Sequence, residues 1–220
     1  MIIPDRIVRS RRKTLSVSVD ALGRITVRAP LRYPQEKIDA FLAEKEGWIC
    51  KHRQRMTGAG VRLPDSSLDG YGLLLLGETY RISLVEGKRV QVDEANKRLF
   101  VPKSGAEKNL TAWLKETAKR IFSAAVAIRA KELGVQVNSL KISSARTRWG
   151  TCSAKNDIRL CFRLLYAPKE VIDYVIVHEL SHVKIKNHSA AFWAQVASVL
   201  PDYKQKRKWL KDRPALMQIF

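Results

Sequence analysis

Three of the chain's four histidines, His178, His182 and His188, stand close together in the run His178-Glu179-Leu180-Ser181-His182 followed by Asn187-His188. On a helix, residues four apart project from one face about one turn apart. His178 and His182 can therefore bring two imidazole nitrogens to one zinc ion at roughly 2.0–2.1 Å. Glu179 follows the first of them and is rotated off that face. It can touch a metal-bound water without taking a coordination position, which is the place of a general base in a HExxH hydrolase. His188 comes six residues after His182, at the spacing of a third ligand in metzincins, which turn the chain with a glycine seven residues after the first His. Here Ile185 holds that position, and Asn187 is the residue expected to make the turn, with Ser189 capping the next helix. Three imidazoles leave one position of a tetrahedral zinc open, as catalytic sites do and closed structural sites do not.

A metal helix needs burial and a scaffold. Val171, Ile172, Val175, Ile176 and Val177 precede the motif, so the helix is expected to be buried, with Pro168 in its first turn. A buried helix bearing two histidines and a glutamate needs partners for them, and a metal supplies those partners. The fourth histidine, His52, sits among Lys51, Arg53 and Arg55 and reads as a surface residue.

Upstream, Leu15, Val17 and Val19 alternate with serines and pair with Ile25 to Val27 across a turn at Asp20 to Gly23. Tyr33-Pro34 opens a helix running towards Arg55, and Gly58 to Ser67 reads as a loop. Strands are expected near Leu73 to Leu76 and Tyr80 to Val85, with a hairpin joining Arg89 to Val92 with Arg98 to Val101. The longest helical pattern runs from about Glu107 to Leu133, with Leu110, Trp113, Leu114, Ala118, Ile121, Phe122, Ala125 and Ile128 in phase and Gly134 as its cap. Short strands follow near Val137 to Ile142, Arg146 to Cys152 and Ile158 to Leu164. After the motif helix come two more, Ser189 to Leu200 and Asp202 to Lys211. Strands first, helices later: the fold class is α+β. The sequence divides into a strand-rich region 1–104 carrying one helix and a catalytic region 105–220.

Composition narrows the rest. The chain has 220 residues, 45% apolar and 28% charged, the profile of a globular protein. No secretion signal opens it and no apolar run is long enough to span a membrane, so a cytoplasmic protein is expected. Cys50, Cys152 and Cys161 show no CxxC spacing, which fits free thiols. The net charge of +20 attracts anions, with clusters at Arg6 to Lys13 and Lys204 to Lys211. No RNP, zinc-finger or P-loop pattern accompanies them.

These segments together resemble a known family. Arg146-Thr-Arg-Trp-Gly-Thr-Cys-Ser, Ile158-Arg-Leu, Leu164 to Pro168, Tyr174 to His182 and Asn187 to Trp193 are similar to the YgjP-like (DUF45) metallopeptidases, bacterial proteins grouped with the SprT-like and WLM zinc peptidases. The resemblance implies a zincin-like catalytic half behind the strand-rich one, with His178, His182 and His188 as ligands and Glu179 as the catalytic residue. The family pattern usually carries Asn where Cys161 stands, which bears on specificity and not on the metal set.

The expected function is zinc-dependent hydrolysis of a peptide or protein. A nucleotide or other phosphoanhydride hydrolase is the alternative, its Lys and Arg excess binding phosphate. A basic nucleic-acid-associated protein with a zinc site is a third reading. A further donor is needed for the oxyanion, and Arg148, Tyr166 and Tyr174 are the candidates. Trp149 and Trp193 read as core.

Overall fold

The computed structural model describes residues 2–20, 23–57 and 67–220. The expected loop at Gly58 to Ser67 lies almost wholly outside them. The chain forms two compact units, Met1–Leu63 with Asp212–Gln218, and Pro64–Lys211 with Ile219–Phe220.

In the first unit, β1 (Arg6–Ser10), β2 (Ser16–Val19) and β3 (Ile25–Pro30) form a sheet in the order β1-β3-β2. The expected hairpin is the antiparallel β2/β3 pair, with Val17 opposite Val27. β1, by sequence only a basic cluster, lies parallel to β3, with Ile7 opposite Val27. Charged residues on a sheet edge discourage pairing with another chain, and they hid this strand's period. The expected single helix towards Arg55 is two, α1 (Gln35–Glu44) and α2 (Glu46–Thr57). Lys45 leaves helical geometry at φ −91° and ψ 4° between them, and Gly47, among the poorest helix formers, follows two residues on. Val19, Ile25, Val27, Ala29, Ile38, Leu42 and Ile49 form the core of this unit.

The second unit carries the site. A four-stranded sheet runs β4-β5-β7-β6, from β4 (Gly72–Leu75), β5 (Glu78–Val85), β6 (Gln91–Asp93) and β7 (Arg98–Pro102). The β6/β7 hairpin pairs Val92 with Leu99 as expected, and β5 and β7 are parallel. Helix α3 (Ala106–Leu133) buries Leu110, Leu114, Ala118, Phe122, Val126 and Leu133, and ends at Gly134 in the left-handed conformation. Ile128, in phase with the apolar residues of this helix, points to solvent at 66% exposure. A second sheet, β8-β10-β9, is built from β8 (Ser139–Ser143), β9 (Gly150–Cys152) and β10 (Asp157–Cys161). The expected strand from Arg146 is only β9, and the strand to Leu164 stops at Cys161, where Phe162–Tyr166 turns into 3₁₀ geometry. That turn is entirely buried, Arg163 included, so its residues show no polar/apolar alternation to mark it.

The motif lies on α4 (Lys169–Lys184), followed by α5 (Ala190–Val199) and α6 (Tyr203–Lys211). Pro168 is the N-cap of α4, one position ahead of the first helical residue. Gly77 has φ +90°, and a Cβ there would lie 3.1 Å from the Pro168 Cα, so only glycine lets the β4–β5 turn approach the start of α4. α4 is tied to α3 by a two-pronged ion pair, Arg129 Nε donating to Asp173 Oδ1 at 2.8 Å and Nη2 to Oδ2 at 2.5 Å. Lys184 Nζ donates to the Leu133 carbonyl at 2.7 Å. The helix is thus tethered to its neighbour along its length, which fixes where its histidines point.

Candidate active site

α4 buries Val171, Ile172, Val175, Ile176 and Val177, leaving His178 and His182 half-buried on the adjoining face. The chain leaves the helix at Ile185 in extended geometry, φ −126° and ψ 103°. Asn187 is not left-handed, contrary to the expected turn. Its Oδ1 instead accepts from the Ser189 N–H at 3.2 Å, a local side-chain turn. Ser189 holds the N-cap position of α5 without a capping side-chain bond. The turn returns His188 to the other two histidines.

The three imidazoles converge. His188 Nε2 stands 3.1 Å from His178 Nε2 and 3.2 Å from His182 Nε2. All three ligand nitrogens lie within 4.8 Å of one another. One ring proton on His188 cannot serve both neighbours, so imidazole–imidazole hydrogen bonding leaves lone pairs facing each other. Two nitrogens each 2.0–2.1 Å from a tetrahedral ion stand about 3.4 Å apart, close to the spacings seen, so the donor set fits a metal. The His182 Nδ1–H donates to the Ile185 carbonyl at 3.0 Å, which points the Nε2 lone pair inward, as outer-sphere partners of metal histidines do. His178 Nδ1 is buried with no hydrogen-bond partner among the described residues.

Aromatic packing holds that ring and its neighbours. The buried Phe192 ring stacks on His182 at 4.4 Å between centroids and meets His178 and His188 edge-on. Trp193 stacks on His188 at 5.6 Å and on Tyr203 at 5.3 Å. Trp193 is therefore more than core, because it walls one side of the histidine cluster. Burial pushes His178 down to about 3, helped by the neighbouring His182, His188 and Arg207 charges, so its neutral form dominates at ordinary pH.

Glu179 is 6% exposed, and burial pushes its carboxyl up to about 7. Such a group can take up and return a proton near neutrality. It faces a cavity of about 320 Å³ lined by Arg148, Trp149, Gly150, Tyr174 and His178, with Arg207 and Lys211 on α6. Of the three residues considered for the oxyanion, Arg148 and Tyr174 line this cavity and Tyr166 does not. Tyr166 is fully buried, its hydroxyl without a hydrogen-bond partner among the described residues and its ring edge-on to Phe162 at 6.4 Å. Burial pushes the Tyr174 hydroxyl up to about 12, so it stays a donor. Cys161 is also buried away from the cavity, its thiol donating to the Ala145 carbonyl at 3.1 Å, next to Arg163.

Gly150, quoted in the sequence only as part of a motif, meets Glu179 directly. A Cβ there would lie 2.6 Å from Glu179 Oε1 and 2.7 Å from its Cγ. Distances this short are not tolerated, so Gly150→Ala must displace the carboxylate. The expected outcome is at least a 10-fold loss of turnover with metal content unchanged, since a misplacement of order 1 Å at a reacting group can cost about 10²-fold. Unaltered turnover would mean that the Glu179 position is not critical.

A family profile described as "YgjP-like, metallopeptidase domain" matches residues 13–213. The chain is 33% identical over 85 residues to a protein of Escherichia coli (strain K12) named UTP pyrophosphatase, covering 36% of this chain and 51% of that one. It thus spans about half the length of that relative. Among solved structures, that of the metallopeptidase zymogen of Pyrococcus abyssi abylysin has 25% sequence identity and a TM-score of 0.38, covering 41% of this chain and 92% of that one.

Proposed function

The chain belongs to the YgjP-like metallopeptidase family, and from that premise we propose that it is a zinc peptidase whose ion is held by His178, His182 and His188. The convergence of three imidazole nitrogens beside a buried glutamate is the observation that carries this reading. When bound, the ion would supply Lewis acidity to the scissile carbonyl and lower the pKa of a coordinated water. Glu179 takes the proton from the attacking water and passes it to the leaving amine. Arg148 and Tyr174, on the same cavity wall, are the proposed donors to the oxyanion. The reading extends to a zincin-like half, residues 105–220, which holds every residue named here, behind the strand-rich region 1–104. Among the described residues no helix is long and apolar enough to cross a membrane, and a cytoplasmic location is proposed with the peptide substrate.

A second reading is favoured by one observation, the name UTP pyrophosphatase of the Escherichia coli relative. In that reading Glu179 would activate water towards a phosphoanhydride, and the same three histidines would hold the ion that supplies Lewis acidity. Against it, sites for phosphoryl transfer are usually built from carboxylates around Mg²⁺, and this one is all imidazole. Purified protein offered casein-derived peptides and nucleoside triphosphates, each with and without a chelator, separates the two. Chelator-sensitive peptide cleavage is expected. Cleavage of the triphosphate alone would replace the peptidase reading, and indifference to chelator would remove the metal from both.

The excess charge of +20 supports a further expectation, sequence-independent association with polyanions. Affinity for DNA or heparin should fall steeply with rising salt. A salt-insensitive affinity, or none, would exclude nucleic-acid association through charge.

A further inference from the structure

We propose that Arg148, Arg207 and Lys211 form an oxyanion subsite in the cavity beside Glu179, which selects substrates bearing a carboxylate or phosphate next to the bond that is cut. The bond in question is taken from the peptidase reading; the subsite itself rests on the cavity.

Arg207 and Lys211 are four apart on α6 and so share one face, while Arg148 enters from the segment ahead of β9. Like charges at that spacing repel. Among the described residues none of the three cations is ion-paired. Among the described residues that line the cavity Glu179 is the only acidic one, against three basic side chains. An anionic ligand would relieve that imbalance. Arg207 is also preorganised: its guanidinium lies over the Trp193 ring at 4.8 Å, and Trp193 is itself stacked on His188. The subsite is thereby joined to the metal ligands through one aromatic ring. Trp149, Val175 and Leu210 supply the apolar part of the cavity wall. A guanidinium fork matches carboxylate and phosphate oxygens alike, so both carry the shared chemistry.

The test has a binding arm and a cleavage arm. Inorganic phosphate is titrated into chelator-treated protein at low salt, so that no metal can hold it. Binding is expected, weakened about tenfold or more by Arg207→Gln and by Lys211→Glu and largely kept by Arg207→Lys. Two peptides differing only by Glu or Gln beside the cut are then compared on zinc-loaded protein, and the Glu peptide is expected to have the higher kcat/KM, a preference that Arg207→Gln removes. Competition against phosphate by the Glu peptide or by a nucleoside triphosphate identifies which source of oxyanion fits. Phosphate binding unchanged in both charge-removing variants would overturn the subsite, as would no phosphate binding with the two peptides cut alike; in that last case cleavage itself leaves the peptidase reading standing. Variant-sensitive phosphate binding with neither peptide cut keeps the subsite and removes the peptidase reading.

Discussion

Glu179→Gln is expected to lower turnover by at least the roughly 10²–10⁴-fold that a general acid–base group contributes, while zinc content and folding stay as in the parent. The side chain is buried and packs directly over Gly150. Glutamine has nearly the same shape, so the space that Gly150 leaves still accommodates it, and an amide is less costly to bury than a carboxylate. An amide cannot accept a proton from water, so only the chemical step should suffer. Metal analysis and turnover of the same preparation check both halves. If the variant lost its zinc, Glu179 would be a ligand or a structural support. If it kept full activity, the HExxH segment would not be the active site.

The placement of Glu179 beside two histidines of one helix face was readable from spacing because helical period is a local property. Residues four apart meet wherever the helix sits, so His178 and His182 needed no knowledge of the fold. The hairpins β2/β3 and β6/β7 were visible for the same reason, each being alternation interrupted by turn residues. What was not readable depends on packing between distant segments. Gly150 precedes Glu179 by 29 positions, and nothing in its own neighbourhood says that its missing Cβ makes room for a carboxylate. Arg207 and Lys211 were visible only as part of a basic run, and only the fold shows that these two border the cavity beside Glu179. The 3₁₀ turn Phe162–Tyr166 is buried on all sides, which erases the period that separates strand from helix. Asn187 suits a left-handed turn by residue type, but the chain needs from it only a side-chain acceptor for the Ser189 N–H.

His182→Ala should fail in a different way from Glu179→Gln: metal and activity are lost together. The imidazole is one of the three proposed donors, and its Nδ1–H is fixed by the Ile185 carbonyl, the residue at which α4 ends. Losing an outer-sphere partner of a ligand costs typically 10–100-fold in metal affinity; deleting the ligand itself should exceed that range. The Phe192 ring stacked on His182 also loses its partner, so the metal-free variant is expected to be less stable than the metal-free parent by an amount typical of a partly buried truncation, about 1–2 kcal/mol. Because a ligand that binds only the folded state stabilises it by mass action, added zinc should raise the melting temperature of the parent and do so far less for the variant. Thermal melts of both proteins with and without zinc, read beside elemental analysis, separate the contributions of packing and metal. If zinc raised the melting temperature of His182→Ala as much as that of the parent, His182 would not be a ligand, and the third donor would have to be sought elsewhere around the cavity.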